Sequence, residues 1–418
     1  MESPHFSPCA TPDTYIQKNE CTLGWDSLSY TVTRRGQDPK VILSNVSGRA
    51  APGELVAIMG PSGSGKTTLL DILADRISTG QVTGQIHLNG RPRHAKTFRL
   101  LSSYVSQEDA LTGSFTVLET LRFAARLSVP ANTQLTADRS RADFPSLSKA
   151  DLREIKPSVG RQFAMLLQRT ALENVRNPGI FWIRFVMFLV LSAMTGTLYL
   201  NDDKKLTDMD YVALLFGAPA FTTFLSVAAL PFFLEQRAVF ARERANSGLN
   251  VGAFTIATFV AALPGLALLA ITATLMVVPM TGLHGFGTFF WIMFLSLTVA
   301  ESLMSVLGVL VSNAIMGIAL GAAALGMFML TEGFMVPRPS IQHYWLWGHY
   351  LGFHTYSFEA LVANQFQGVD TVGAKAILAR FDVADVHVSS HASILIGYAL
   401  ILQVIVGSLL YKLHTGRR

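Results

Sequence analysis

"GPSGSGKTTLLDIL", residues 60–73, decides how the first part of this 418-residue chain is read. It fits G-x-x-x-x-G-K-[ST], in which glycines let backbone N–H groups close around phosphate oxygens while the following helix offers its positive end. Gly60, Pro61, Ser62, Gly63, Ser64 and Gly65 form the loop. Lys66 is placed to reach the outer phosphates, Thr67 to ligate magnesium, and Thr68 follows them among the expected nucleotide contacts. The flanks have the required order, since "GELVAIM" reads as a strand and "TTLLDILAD" has helical spacing. ATP with Mg2+ is the expected ligand.

Outward from the loop the composition changes. Charged residues make up 15% of the chain and the mean hydropathy is +0.38, the balance of a membrane protein. The formal charge of +5 fits an excess of Lys and Arg in cytoplasmic loops better than affinity for nucleic acid. Cys9 and Cys21 both lie in the N-terminal tail, which leaves no disulfide for an external loop and no metal-ligand cluster. "MESPHFSPCATPD" lacks an apolar core, so it does not read as a secretory signal, and insertion depends on later segments.

The expected organisation is a tail over 1–21 and a partial α/β P-loop nucleotide-binding domain over 22–126. A polar junction (127–157) and a connecting helix (158–178) lead to an all-α transmembrane domain over 179–413, with a short tail at 414–418. Six spans of about 20 residues with few charges are expected: 179–200, 211–233, 255–280, 287–311, 314–336 and 392–413. Arg161, Arg169, Arg176 and Arg184 flank the first span. Arg237, Arg242 and Arg244 follow the second, and Lys412, Arg417 and Arg418 close the chain. These bases put both termini in the cytosol, whereas "NDDKKLTDMD" falls outside.

The sequence now resembles a known family. "LSNVSGRAAPGELVAIMGPSGSGKTTLLDILADR", "GQIHLNG" and "YVSQEDALTGSFTVLETLRFAARL" look like the first half of an ABC-transporter ATPase of the G (White/pigment) subfamily, in which the membrane segments follow the ATPase. "LLQRTALENVRNPG", "EQRAVFARERANSG" and "GFMVPRPSIQHYWLWGHYLGFHTYSFEALVANQF" continue the likeness through the membrane part. It implies a half-transporter in the plasma membrane, working as a homo- or heterodimer with another G-type half. Its substrates would be hydrophobic or amphipathic small molecules, with membrane lipid around it. By the same resemblance Gln107 is a magnesium- and nucleotide-contacting glutamine at the boundary with the membrane domain. Tyr30 either stacks on adenine or is a core tyrosine.

The chain also departs from that family. Between residues 108 and 177 there is no LSGGQ-like signature, no apolar strand ending in Asp-Glu and no switch histidine. In the family, ATP lies between the Walker motifs of one ATPase and the signature of the other. Phosphoryl transfer needs the positioned water, the metal and charge stabilisation together. Without them no catalytic residue is assigned, ATP turnover is expected to be weak or absent, and the nucleotide-binding sheet is left with an uncovered edge or face.

In the membrane half, "EQRAVFARERANSG" suits a short intracellular coupling helix. Glu301 lies inside the fourth span, either as a functional group or bonded to a neighbouring helix. The stretch after Met335 has the aromatic, proline-broken character of an interfacial or re-entrant element. "RPRHAKTFR", 91–99, reads as a solvated loop. Three functions follow: an exporting half-transporter of lipid-like molecules, a catalytically silent partner that lowers the activity of a full-length half-transporter, and a membrane-tethered phosphotransferase. The last is disfavoured by the absence of an acceptor site or lid motif.

Overall fold

The computed structural model describes residues 21–33, 38–94, 98, 102–105, 111–128, 157–179, 181–200 and 206–414. Gln107 and most of the polar junction lie outside them.

The N-terminal part is a small antiparallel sheet carrying one helix. β1 (Leu23–Val32), β2 (Lys40–Ala50), β3 (Gln81–Leu88) and β4 (Arg91–Pro92) are ordered β2-β1-β3-β4. In β1, Trp25 and Leu28 share a buried face although they are three residues apart. A register shift containing Ser27, at φ 51°, absorbs the extra residue, and Tyr30 then follows with the normal period of two. This face, with Leu43, packs on Leu69, Ile72 and Leu73 of α1 (Lys66–Leu73).

The expected strand ahead of the loop does not form. Glu54–Met59 lie outside any ladder, with Leu55 97% and Met59 88% exposed. A strand exists through hydrogen bonds to neighbouring strands, and among the described residues none lies beside this segment. Each large apolar side chain left in water forfeits about 1.5–3 kcal/mol of burial energy.

α2 (Val117–Ser128) begins with a reciprocal cap, the Thr116 N–H donating to Glu119 Oε2 and the Glu119 N–H to Thr116 Oγ1. α3 (Val159–Arg176) leads into the membrane half, which comprises α4 (Trp182–Leu198), α5 (Asp208–Phe224), α6 (Leu230–Ser247), α7 (Val251–Thr281), α8 (Phe286–Leu310) and α9 (Ala314–Thr331). α10 (Leu346–Leu351), α11 (Phe353–Phe366), α12 (Val372–Phe381) and α13 (Val388–Leu413) complete it. Among the described residues, five stretches are long and apolar enough to cross a membrane: Asp208–Ser247, Val251–Thr281, Phe286–Leu310, Ala314–Thr331 and Val388–Leu413. The first expected span forms only the 17-residue α4, about 25 Å at 1.5 Å per residue. That is shorter than a hydrocarbon core of about 30 Å.

The second span and the charged segment after it are one continuous unit. α5 runs through a 3-10 stretch, Leu225–Ala229, into α6, which ends at Gly248 in the left-handed region. "EQRAVFARERANSG" is therefore largely the second half of α6, not a separate short helix, because nothing before Gly248 breaks its hydrogen-bond ladder. α8 packs against α5, α6, α7, α9, α11 and α13 and is the centre of the bundle. α11 is apolar but too short to span, and its Phe353, Ala360, Leu361 and Val362 are buried inside the protein. This suits the expected non-spanning element after Met335.

Two arginines on α6 tie the bundle together. Arg237 Nη1 donates to the carbonyls of Gly308 (2.5 Å), Val309 (3.2 Å) and Val311 (2.7 Å) at the end of α8. Arg244, two turns further on, donates to Leu410 (2.8 Å), Tyr411 (3.1 Å) and His414 (3.0 Å) at the end of α13. Each satisfies carbonyls that a helix leaves without internal partners and places a cation at the negative helix end. Arg184, read as a flanking base, is instead 5% exposed and forms a two-pronged pair with Glu301, Nη1–Oε1 3.2 Å and Nη2–Oε2 2.9 Å. Glu301 thus bonds a neighbouring helix through an arginine.

Two outcomes are expected. In hydrogen-exchange mass spectrometry of the micelle-held protein, amides of 54–59 exchange at the earliest times while β1 and β3 stay protected; protection of 54–59 equal to β1 would contradict the unpaired backbone. Glu301→Ala lowers unfolding stability by about 3 kcal/mol because it leaves a buried cation alone. The double variant Arg184→Leu/Glu301→Leu loses less than the sum of the single changes, and strict additivity in denaturant unfolding would contradict the pair.

Candidate functional site

The loop's shape follows from its glycines. Gly65 has φ 88°, and a Cβ there would lie 2.8 Å from Leu43 Cδ2 and 3.2 Å from the Ile42 carbonyl of β2. Only glycine combines this backbone with so close an approach to the sheet. Gly63 is also left-handed, at φ 84°. Pro61, Ser62, Gly63 and Ser64 are exposed, so the loop is an open rim ahead of α1.

α1 starts in a way that favours an anion. Gly65 supplies no capping side chain, and the first turn carries no acidic residue. The leading N–H groups are therefore unclaimed by a side-chain cap at the positive end of the helix. Lys66 Nζ folds back onto the carbonyls of Gly60 (2.8 Å) and Pro61 (2.7 Å), which keeps its ammonium over the loop. Thr67 is exposed and Thr68 half-buried at the same helix start. This geometry fits the phosphates of a nucleotide, with Thr67 as the hydroxyl available to magnesium. Tyr30 does not face the loop's ligand side: it is 5% exposed, and its hydroxyl donates to Thr79 O at 3.0 Å. It is a core residue.

The far end of α1 is also braced. Arg93 Nη1 donates to Ile72 O (2.9 Å) and Leu73 O (2.6 Å), and its guanidinium faces the ring of Phe98 at 5.3 Å. This part of "RPRHAKTFR" is therefore a helix cap and not a solvated charge run.

Just beyond α1 the N-terminal part touches the membrane half. The Arg76 guanidinium donates to Asn246 Oδ1, Asn246 Nδ2 donates to Tyr104 O at 3.3 Å, and Arg76 lies 4.6 Å from the Tyr104 ring. Asn246 belongs to the last turn of α6, and Tyr104 lies three residues before Gln107 in sequence. A second bridge joins α2 to α3, where Arg176 Nη1 donates to both Glu119 oxygens at 2.8 and 2.9 Å. The Thr116 backbone N–H and then Arg176 hold the Glu119 carboxyl below its ordinary range.

α3 is joined to α6 and α7 in turn. Arg169 Nη1 reaches Glu243 Oε1 at 2.5 Å, and Gln236 Nε2 donates to Glu173 at 3.3 Å. The Asn250 N–H donates to Gln162 at 3.0 Å. Burial raises the Glu173 carboxyl above its usual range, opposed by the charge of Arg169. Asn246 and the role of Arg93 have no signal in sequence spacing. Arg184 and Glu301 do, as opposite charges within two apolar segments.

The comparisons agree with this two-part arrangement. A family model described as "ABC transporter" matches residues 43–176, and one described as "ABC-2 type transporter" matches 161–366. ABC transporter G family member 11 of Arabidopsis thaliana is 23% identical over 86% of this chain and 80% of its own length. ABC transporter G family member 1 of Petunia hybrida is 23% identical over 83% and 84% respectively. The former alignment runs to 564 positions, more than the whole of this chain, so the relative carries residues inside the aligned span that this chain lacks. ABC transporter G family member 12 of Dictyostelium discoideum is 45% identical over 119 residues, 28% of this chain and 18% of its own. With a phosphate loop ahead of α1 and an ABC-2 membrane part behind it, the chain belongs to the ABC transporter G family as a half-transporter.

Proposed function

We propose that this chain is the nucleotide-gripping, non-hydrolysing half of a dimeric exporter of lipid-like or amphipathic molecules in the plasma membrane. Both termini are cytosolic, and the partner is a second copy or another G-type half-transporter. The observation that carries the nucleotide reading is the start of α1, where an uncapped helix end, left-handed Gly63 and Gly65 and the Lys66 ammonium converge on one rim. Bound ATP with Mg2+ would supply a phosphoanhydride and a divalent charge. Lys66 and the loop N–H groups would hold the phosphates, and Thr67 the metal. Gln107 joins them by family likeness alone.

Grip and turnover separate in this chain. The sequence carries no signature and no strand-ending Asp-Glu to position water or complete a partner's site. Nucleotide binding at the loop instead acts through position. α1 leads from the phosphate rim to Arg76, which meets Asn246 at the end of α6, the helix whose Arg237 and Arg244 hold the ends of α8 and α13. That chain of contacts is the path by which an occupied loop biases the membrane helices.

The exposed Leu55 and Met59 and the gapped alignment favour a second reading, a silent partner that lowers the activity of a full-length half-transporter. In a dimer with such a protein both composite sites are incomplete, one lacking this chain's general base and the other its signature.

MgATP is expected to raise the thermal midpoint of the detergent-purified protein, and Lys66→Ala to abolish that shift. Phosphate release is expected to match Lys66→Ala. Turnover of roughly 1 per second or faster that Lys66→Ala removes would overturn the non-hydrolysing assignment. Unchanged turnover by a co-expressed full-length half-transporter would remove the silent-partner reading.

A further inference from the structure

Inside a single protomer, a cavity of about 400 Å³ lies among α3, α4, α6, α7, α8 and α13. It is within the size range of small-molecule sites. It exists because α7 is narrow and interrupted on that side. Ala261, Ala262 and Gly265 line the cavity beside Pro264, whose missing N–H leaves the Val260 carbonyl without its helical donor. Asn174 Nδ2, from α3, donates to the adjacent Ala261 carbonyl at 3.1 Å and holds the interrupted turn in place.

The walls are mostly aromatic and aliphatic, with Phe181, Phe232 and Phe259 among them. Trp182 and Leu268 also line the cavity and are 49% and 44% exposed, so it opens between α4 and α7 toward the surrounding lipid. Trp182 starts α4, six residues after Arg176, an aromatic beside a basic flank of the kind that marks a membrane interface.

One polar group in this wall is both fixed and open. The Glu301 carboxylate is oriented by Arg184 through two hydrogen bonds, and its side chain remains 22% exposed. Each oxygen accepts one bond from Arg184 and has a further lone pair. Arg184 already balances its charge, so an added anion or cation would lack a counter-charge in a poorly solvated place. A neutral hydroxyl satisfies the remaining acceptor without that penalty.

We propose that this cavity binds a neutral single-chain lipid of the monoacylglycerol class. A glycerol hydroxyl donates to Glu301, and the acyl chain lies along α7 past Ala261, Ala262 and Gly265 and out between Trp182 and Leu268. The site is complete in one protomer and needs neither nucleotide nor transport, so it stands or falls apart from the exporter reading.

The test uses the full chain in phosphatidylcholine nanodiscs, without nucleotide, and a photoactivatable 1-monoacylglycerol bearing a diazirine on its acyl chain. Crosslinks are expected on peptides of α4, α7 and α8, with unlabelled monoolein competing about tenfold more strongly than oleic acid or oleylamine. Ala262→Phe, which fills the cavity, is expected to lower labelling about tenfold. Equal competition by the acid or the amine would overturn the proposal on wild-type protein alone. So would labelling that a folded Ala262→Phe leaves unchanged, or crosslinks confined to other helices.

Discussion

A backbone N–H or C=O taken from water must find another partner, and the two halves of this protein meet that demand to different degrees. In the membrane half, helices satisfy their own interiors, and the carbonyl ends of α8 and α13 are claimed by Arg237 and Arg244. Both arginines stand on α6, so one helix fixes the ends of two others. The Arg184–Glu301 pair applies the same rule to charge, joining the short apolar helix α4 to α8 at the centre of the bundle.

The N-terminal half meets that demand partly by staying in water. β1 pairs with β2 and β3, but the segment that leads into the phosphate loop has no ladder, and its Leu55 and Met59 face water. The loop nevertheless keeps its form because its determinants are local: left-handed glycines, the contact of Gly65 with β2, and the Lys66 bonds to Gly60 and Pro61. Local geometry survives the loss of a neighbouring strand where a strand itself does not.

The same distinction explains what was legible in the sequence. Helices set by long apolar runs were readable to within a few residues at 255–280, 287–311 and 392–413, whereas the second, expected over 211–233, belongs to one unit over Asp208–Ser247. The phosphate loop was readable because its chemistry is contiguous. "ELVAIM" was misread as a strand because its composition suits one, whereas its state depends on partners elsewhere in the chain. Arg93 and Asn246 were opaque for a related reason: each acts on a group far away in sequence, so spacing around it carries no trace of its role.

The junction between the halves follows from these constraints. The glycine loop sits at one end of α1, and the contact with the membrane half sits just past the other, at Arg76. α1 is only eight residues long, about 12 Å, and its far end is pinned by Arg93. A short, pinned helix transmits displacement better than a flexible loop does, because it has few soft dihedrals to absorb the motion. Asn246 meets Arg76 at the terminal turn of α6, where Gly248 ends the helix. The segment ahead of the loop is unpaired, so the loop is tied to the sheet only through Gly65 and α1. The unpaired segment ahead of the loop therefore leaves intact the contacts that join α1 to the last turn of α6.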